Sequence, residues 1–283
     1  MKTEFLPIGV LLKGTELDIF KTFDCGQCFR FEKTDENTVC GIAYGKRLVL
    51  ENTEDGVLLR GVSEEEYEKL WRDFLDMDRD YFDVNEKLSA YEKLKAAAKS
   101  GYGIHILNQE PWEALCSFVI SQNNNIPRIK KIIEKLCTLY GEETEGGYAF
   151  PTPKALINAG TEGIALSGCG FRDKYILAAA EAVESGSLDP KELITLPYEE
   201  AFKKLTALKG VGPKVANCVL LFGLRHTEAF PVDVWIKKCL KNISTPILTR
   251  VYSATEQELP SNIFFTTNGS QTIKFARPPF CTF

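Results

Sequence analysis

The spacing of hydrophobic residues divides the chain into a strand-forming first part and a helical second part. Through the first hundred residues, short apolar and β-branched runs alternate with turn-forming segments, including 35–37 and 52–56. This alternation is typical of antiparallel strands. We predict strands over residues 29–31, 38–42, 47–50 and 57–60.

Helical spacing begins after these strands. Ser63 and Glu66 have the spacing of a capping box, which satisfies backbone amides at a helix start. The apolar residues that follow share one helix face, and a second amphipathic helix is predicted over 84–99. From Pro111 onward the pattern predicts helices over residues 112–122, 126–140, 153–160, 174–185, 198–208 and 214–224.

These elements predict an α+β fold. Residues 1–103 are expected to form an N-terminal antiparallel sheet domain with flanking helices, and residues 104–240 an all-α domain. Residues 241–283 form a tail with little helical periodicity. The chain has 283 residues, of which 44% are hydrophobic, so it is long enough for two or three units with a sizeable core.

The net negative charge alone does not decide whether the chain binds a polyanion, because the charges are unevenly distributed along it. The net charge is −5, whereas a protein that binds a polyanion normally has a basic surface. Acidic residues crowd into 51–83 and 142–145, however, and the helical part has basic residues at 128–131, 172–174, 203–204, 209 and 214. Net charge therefore does not exclude a DNA-binding face.

The termini and the cysteines indicate the compartment. The sequence has no leader pattern and no apolar run of roughly 18 residues, so we expect a cytoplasmic protein, nucleoid-associated in a bacterium, without membrane contact. The nine cysteines are then reduced thiols. Cys25 and Cys28 form the only C-x-x-C pair, for which a metal or redox site is an alternative. We expect no metal and no organic cofactor.

Two glycines mark a sharp turn between two predicted helices. In the run L-K-G-V-G-P-K at 208–214, they flank one apolar residue, and glycine permits positive φ and close backbone approach. This pattern is typical of a helix-hairpin-helix. Amides at the start of its second helix suit a phosphate, so the candidates for gripping a nucleic-acid backbone are Lys209, Gly210, Val211 and Gly212.

Lys214 and Asp233 are the candidate catalytic pair. Lys214 falls in the first turn of the second hairpin helix, where the helix dipole and an apolar wall disfavour the ammonium form, and a neutral lysine is a nucleophile. Asp233 follows a Pro-Val step and precedes a helix-like run, so its carboxylate could orient that nucleophile and stabilise a sugar cation. The alternatives are a solvated lysine at a helix start and an aspartate N-cap.

The combination of G-V-G-x-K with a later P-V-D resembles the helix-hairpin-helix DNA glycosylase superfamily, whose lysine-bearing members cut the glycosidic bond and then the strand. The order of a sheet domain and then helices is similar to the 8-oxoguanine DNA glycosylase branch over about residues 8–238. The resemblance implies a bifunctional base excision repair enzyme that removes 8-oxoguanine and cleaves the abasic site by β-elimination.

The same resemblance bears on partners and cofactors. We expect the chain to act on double-stranded DNA that contains oxidised guanine, as a monomer with no obligatory protein partner. Some members of the superfamily carry an iron–sulfur cluster on four closely spaced cysteines after the catalytic aspartate. Only Cys239 and Cys281 follow Asp233 in this sequence, so that cluster is not expected.

Two segments resemble base-recognition motifs of this branch. The run G-Q-C-F-R-F resembles G-Q-x-F-R-W, which implies that the Gly26 carbonyl accepts the N7 hydrogen that distinguishes 8-oxoguanine from guanine. The run S-Q-N-N-N-I-P-R implies that Asn123 fills the hole left by the flipped base and that Arg128 reads the opposite cytosine. A simple turn at Gly26 and solvated helix capping by the amides are the alternatives.

A third segment, G-C-G-F-R-D-K-Y, resembles G-x-G-Y-R-A-x-Y. The resemblance implies that Phe171 wedges into the base stack and that Arg172 hydrogen-bonds the orphan base or the DNA backbone. Cys218 lies one helical turn after Lys214 and could stack its sulfur on the flipped base. Phe171 as a core residue and Cys218 as a buried structural cysteine are the alternatives.

The tail departs from the family pattern after Lys238. The branch closes its pocket with a helix of the pattern A-G-x-A-Q-x-x-L-F, whose Gln and Phe have no counterpart in this sequence. Synonymous codons for residues 246–265, read two nucleotides out of phase, spell D-F-D-K-S-L-F-G-N-R-A-G-I-A-Q-Q-Y-L-F-F. We infer a frameshift near Cys239 and expect residues 241–283 to be poorly ordered.

Two rival functions stay open on the sequence. A glycosylase for alkylated or mispaired bases has the same fold, although its monofunctional forms lack a lysine at position 214. A catalytically impaired DNA-binding module is compatible with the abnormal tail.

Overall fold

The computed structural model describes residues 1–232 and two short strands of the tail, Thr266–Asn268 and Thr272–Lys274, which pair antiparallel. The predicted catalytic Asp233 lies outside the described residues. So does Cys239, near which the frameshift is inferred, and so does the predicted tail apart from those two strands.

A six-stranded antiparallel sheet forms the first part of the fold. Its strands are β1 Lys2–Leu6, β2 Gly9–Lys13, β3 Phe31–Lys33, β4 Thr38–Ala43, β5 Lys46–Thr53 and β6 Gly56–Arg60, in the spatial order β1-β2-β6-β5-β4-β3. The four predicted strands are confirmed as β3 to β6, with β3 two residues later than expected. Val10, Leu59 and Leu50 stand opposite one another on three adjacent strands and are fully buried.

A helical segment covers this sheet after β6. It consists of α2 Glu64–Glu66, a π-helical turn Tyr67–Trp71 and α3 Arg72–Phe74. Ser63 Oγ accepts from the Glu66 amide at 3.2 Å, which confirms the predicted N-cap. The Glu66 carboxylate accepts instead from the Trp71 indole at 3.1 Å, so one half of the predicted capping box forms.

Three further helices lie before residue 104, and the others make up the second part. The remaining helices are α1 Ile19–Asp24, α4 Tyr81–Ser89, α5 Glu92–Gly101, α6 Pro111–Ser121, α7 Ile126–Tyr140, α8 Pro153–Ala165, α9 Asp173–Glu184, α10 Pro190–Thr195, α11 Tyr198–Thr206 and α12 Pro213–Gly223, with a small hairpin of β7 Glu143–Thr144 and β8 Gly147–Tyr148. The predicted α+β class is confirmed. The single helix predicted over 84–99 is wrong, because the extended backbone of Tyr91 separates α4 from α5.

Two hydrophobic cores interlock at the boundary between the parts. Phe29, from the loop before β3, packs into the core of the helical part, whereas Leu107 packs into the core of the sheet part. Each part therefore completes the core of the other. Within the described ranges, no helix has both the length and the apolar character needed to cross a membrane.

Candidate active site

The helix-hairpin-helix joins α11 to α12 through a tight turn. Val211 is buried and its amide donates to the Leu208 carbonyl at 3.1 Å. Gly210 has φ +88, whereas Gly212 is extended at φ −86 as the N-cap of α12. The expectation of positive φ is confirmed for Gly210 and wrong for Gly212.

The two glycines serve the turn in different ways. A Cβ on Gly210 would lie 2.2 Å from Cγ of Tyr175, so this glycine lets an aromatic ring pack on the backbone. A Cβ on Gly212 would meet nothing within 4 Å. Gly212 and Lys209 are both exposed, so the start of α12 is accessible to a phosphate.

Gly210→Ala is expected to destabilise the chain. Alanine in the left-handed region costs about 1–2 kcal/mol, and overlap with Tyr175 adds about 1–3 kcal/mol. Gly212→Ala is the matched control, since its backbone angles suit alanine and its surroundings are open, and its melting temperature should stay close to the native value. Thermal melting followed by circular dichroism compares the two. A Gly210→Ala protein that melts at the native temperature would contradict this packing.

Lys214 lies in the first turn of α12 and is half-buried. Its Nζ is 5.9 Å from the centroid of the Phe118 ring, which is buried and stacks on Phe222 at 5.5 Å. The side chain thus has the predicted apolar wall, at the positive end of a helix. This is not the placement of a fully solvated surface lysine.

Cys218 lies on the next turn of α12, on the same face as Lys214, and is buried. Burial agrees with both interpretations of Cys218, as a sulfur that stacks on a base and as a structural cysteine. Its role therefore stays a prediction.

A buried amide ties α12 to the segment that leads toward Asp233. Asn217 Oδ1 accepts from the Tyr198 hydroxyl at 2.9 Å and from the Phe230 amide at 3.1 Å, and its Nδ2 donates to the Pro213 carbonyl at 2.9 Å. No role was predicted for Asn217 from the sequence. The available signal was one amide residue among the apolar residues of α12 that follow Lys214.

The loop that bears Gly26 is held by glutamines. Gly26 is buried with φ +80. Gln27 is 1% exposed, and its Nε2 donates to the carbonyls of Thr22 and His105, each at 2.8 Å. Gln109 Nε2 donates to the Gln27 carbonyl at 2.6 Å. The loop is fixed from both parts of the fold, which agrees with a backbone carbonyl held in a set direction.

Cys25 and Cys28 flank this loop as buried, unbridged thiols. Burial raises the pKa of Cys25 to about 12 and that of Cys28 well above its ordinary value. Cys25 Sγ donates to the Thr22 carbonyl at 3.2 Å. Reactive cysteines have lowered pKa values, so this environment disfavours the redox interpretation of the pair.

The loop after α6 presents Asn123. Asn123 is exposed with φ +46, a conformation that asparagine tolerates better than most residues. Asn125 Oδ1 accepts from the Arg128 amide at 3.0 Å as the N-cap of α7, and Asn124 Nδ2 donates to the Ile120 carbonyl at 3.2 Å. Local capping thus explains Asn124 and Asn125, and Asn123 stands at the tip.

Arg172 lies inside the protein. It is 3% exposed, and its guanidinium donates to the carbonyls of Gln122 at 3.0 Å, Cys169 at 2.9 Å and Asn123 at 3.1 Å. The motif resemblance placed this side chain at the surface, in contact with a base or the DNA backbone. Its donors are instead used by protein carbonyls, and two of these, from Gln122 and Asn123, lie at the negative end of α6, where a cation is favourable.

Phe171 and Arg128 lie at the surface beside Arg172. Phe171 is 57% exposed, and its ring centroid is 4.5 Å from Cζ of Arg172. This exposure excludes the core alternative for Phe171. Burial, with a smaller effect of the nearby Arg128 charge, lowers the pKa of Arg172. The exposed Arg128 side chain and the aromatic ring therefore flank the Asn123 loop.

Comparisons with known proteins agree with this arrangement. The family described as 8-oxoguanine DNA glycosylase, N-terminal domain, matches residues 10–115, and the HhH-GPD superfamily base excision DNA repair protein family matches residues 116–263. The chain is 40% identical over 164 residues to the N-glycosylase/DNA lyase of Saccharomyces cerevisiae. That match covers 52% of this chain and 44% of the yeast protein, so the chain matches less than half of that relative's length.

Solved structures match over more of their length. The structure of MBOgg1 in complex with a low-affinity DNA ligand has a TM-score of 0.85 and 36% identity, covering 93% of this chain and 95% of that chain. The Clostridium acetobutylicum 8-oxoguanine glycosylase/lyase, in complex with double-stranded DNA containing cytosine opposite 8-oxoG, has a TM-score of 0.84 and 32% identity, covering 91% and 92%.

A lysine at the start of the second helix of a helix-hairpin-helix, joined to an antiparallel sheet domain, agrees with the base excision DNA repair class that the superfamily match gives. The chain belongs to the HhH-GPD superfamily, and its N-terminal part is the N-terminal domain of the 8-oxoguanine DNA glycosylases. The predicted family is confirmed.

Proposed function

We propose that this chain is a bifunctional 8-oxoguanine DNA glycosylase and abasic-site lyase that acts on duplex DNA as a monomer. The observation that carries the proposal is the placement of Lys214, half-buried at the start of α12 and 5.9 Å from the Phe118 ring centroid. An amine there follows directly on the exposed hairpin turn, so it lies beside any DNA backbone that the turn holds.

The reaction proceeds in two steps on one lysine. The Lys214 amine attacks C1′ of the damaged nucleotide, the N-glycosidic bond breaks, and the base leaves with its bonding electrons and gains a proton. Ring opening gives a Schiff base to C1′, which acidifies the C2′ hydrogen. Loss of that proton breaks the C3′–O bond and expels the 3′ phosphate. Asp233 supports the positive charge on the sugar during base release.

The residues around the Asn123 loop serve base flipping. Extruding a base costs a few kcal/mol, which Phe171 offsets as a wedge in the stack and Asn123 as a plug in the vacated position. Gly26 reads the flipped base through its carbonyl, because a buried acceptor left unpaired by guanine rejects the normal base. Supporting this assignment, the Gly26 loop is fastened to both parts of the fold.

Borohydride trapping tests the function. The full chain is incubated with duplexes that carry 8-oxoguanine opposite cytosine, an alkylated base, or no lesion, and the covalent adduct is measured. Adduct and strand cleavage confined to the 8-oxoguanine duplex support the proposal. Adduct on the alkylated duplex alone favours a glycosylase of different specificity. Binding to DNA without adduct on any duplex identifies a catalytically impaired module.

Arg128→Ala is expected to reduce discrimination for cytosine opposite the lesion by about 1–3 kcal/mol. The reason is that its exposed side chain is proposed to contact a base, and base contacts specify whereas phosphate contacts position. Lys209→Ala is the matched control, and should weaken binding to all duplexes equally and flatten the salt dependence. Affinities for the four opposite bases measure both. Equal losses for all four in Arg128→Ala would make Arg128 a phosphate contact.

The tail carries a further prediction. Replacing the residues after Cys239 with the out-of-phase sequence should restore the Gln and Phe of the closing helix, and so raise both melting temperature and activity on 8-oxoguanine. The chain with its present tail is expected to be less stable and weakly active. Resequencing the gene across the Cys239 codon and an intact-mass measurement decide the matter. A native mass equal to that of the 283-residue sequence, with full activity, argues against the frameshift.

A further inference from the structure

Gln122 lies between the buried end of α6 and the exposed Asn123. It is the C-cap of α6 and is half-buried. Its side-chain Nε2 donates to the Gly210 carbonyl at 2.9 Å and to the Val119 carbonyl at 3.2 Å. One amide therefore connects the Asn123 loop to the hairpin turn, which lies 88 residues further along the chain.

The hairpin end of this contact is rigid. Gly210 is held at φ +88 with the Tyr175 ring packed against its Cα. Its carbonyl direction is thus set by the turn and by the ring together. A hydrogen bond to that carbonyl fixes Gln122 relative to the amides at the start of α12.

The loop end is equally constrained. The Gln122 carbonyl accepts from Arg172 Nε at 3.0 Å and also from Nη2, and the Asn123 carbonyl accepts from Nη2 at 3.1 Å. Arg172 thereby holds the peptide groups before and after the Asn123 Cα, which restricts the φ and ψ angles of Asn123. The three residues form one continuous link from the buried guanidinium to the turn.

We propose that Gln122 is a positioning residue, which fixes the Asn123 loop relative to the helix-hairpin-helix turn. The distance between the Asn123 side chain, which enters the duplex, and the amides at the start of α12, which bind the phosphate backbone, is then constant. This inference rests on the proposed function, since it assigns Asn123 and the turn to the same DNA molecule. Gln122 itself acts through its neighbours and contacts no reacting atom.

The test compares binding of the full chain to two duplexes at one salt concentration. One duplex carries a tetrahydrofuran abasic-site analogue opposite cytosine, and the other is undamaged. Gln122→Met keeps the length and volume of the side chain but removes the donor. The preference for the abasic duplex is expected to fall about 3- to 10-fold, the range for one lost hydrogen bond. Affinity for undamaged DNA, which depends on phosphate contacts, should not change.

Gln122→Glu provides a second variant of similar size. Its carboxylate would face the Gly210 carbonyl and repel it, so the preference of this variant for the abasic duplex should fall further. Melting temperatures verify that both proteins are folded. A double-mutant cycle with Asn123→Ala then separates positioning from general packing. Because the plug is absent in Asn123→Ala, adding Gln122→Met should cause no further loss of preference.

Three results would overturn the inference while leaving the enzyme assignment intact. These are native preference in Gln122→Met, equal loss on both duplexes, and an undiminished effect of Gln122→Met in the Asn123→Ala background. A native chain that neither prefers the abasic duplex nor forms a borohydride adduct would overturn the proposed function and this inference together.

Discussion

Replacing Lys214 with glutamine is expected to abolish covalent trapping and strand cleavage and to leave binding to lesion-containing duplex largely intact. Glutamine keeps a similar size beside the Phe118 ring, but its amide nitrogen cannot form an imine. The hairpin turn, the Asn123 loop and Phe171 are unchanged in this variant, so the contacts proposed to hold DNA remain. Borohydride trapping and a filter-binding or fluorescence-anisotropy titration measure the two properties separately.

Asp233→Asn is the companion variant for this experiment. Its charge is proposed to stabilise the sugar cation, so base release should slow by orders of magnitude while Lys214 still forms an adduct with a preformed abasic site. A Lys214→Gln protein that still traps under borohydride would show that another amine is the nucleophile. Native turnover in Asp233→Asn would reduce that residue to a helix cap.

At pH 8, where Glu113 is largely ionised, Glu113→Leu is expected to destabilise the fold by about 3–5 kcal/mol, the cost of leaving one partner of a buried ion pair alone. Arg30 Nη1 lies 3.4 Å from Glu113 Oε2, and the two side chains are 6% and 12% exposed. Arg30 also donates to the Tyr148 carbonyl. Arginine cannot shed its proton, so the variant keeps a buried cation without its carboxylate.

Arg30→Met is the matched partner variant, and it should cost less. Burial raises the pKa of Glu113 to about 7 despite the opposing Arg30 charge, so the carboxyl can take up a proton when Arg30 is removed. At pH 5 Glu113 is largely protonated in the native chain as well, and this protonation stabilises the fold of the native chain and of Arg30→Met but not that of Glu113→Leu. The difference between the two variants should therefore widen at pH 5. Urea denaturation at pH 5 and pH 8 measures both. Equal losses at both pH values would contradict the raised pKa of Glu113.

The sign of the pH dependence in the native chain follows from the same pKa. The folded-state pKa of Glu113, about 7, lies above its ordinary value of 4.5. Its contribution to the free energy of unfolding is therefore fully present below pH 4.5 and is lost as pH rises through about 7. Glu113→Gln should remove this part of the pH dependence.

Sequence periodicity predicted the elements whose spacing is regular. Strand β5 has the clearest alternation of buried and more exposed positions. β1 and β2 were missed, although the buried V-L-L run of β2 matches that of the predicted β6, so periodicity alone does not account for this difference. The break between α4 and α5 falls at Tyr91, which has no side-chain cap. Apolar spacing continues across that residue, so periodicity alone predicted one helix.

The residues of the site also differ in how far the sequence predicts them, because some belong to local motifs and others depend on contacts between distant parts of the chain. Lys214, Gly210 and Asn123 belong to short motifs, so the types and spacing of these residues were enough to indicate their chemistry. Arg172 and Gln122 depend on contacts with residues 50 and 88 positions away. Such contacts follow from the packing of α6, α9 and the hairpin turn, which spacing along the chain does not determine.

The exchange of Phe29 and Leu107 between the two cores has a consequence for how this protein tolerates mutation. Gly26 lies three residues before Phe29 in the chain. The Leu107 amide donates a hydrogen bond to Gln27 Oε1 at 2.9 Å, so the Gly26 loop is also attached to Leu107. A substitution that loosens either core shifts the carbonyl proposed to tell damaged guanine from normal guanine. Under the proposed function, stability and lesion choice therefore depend on the same packing between the sheet and the helices.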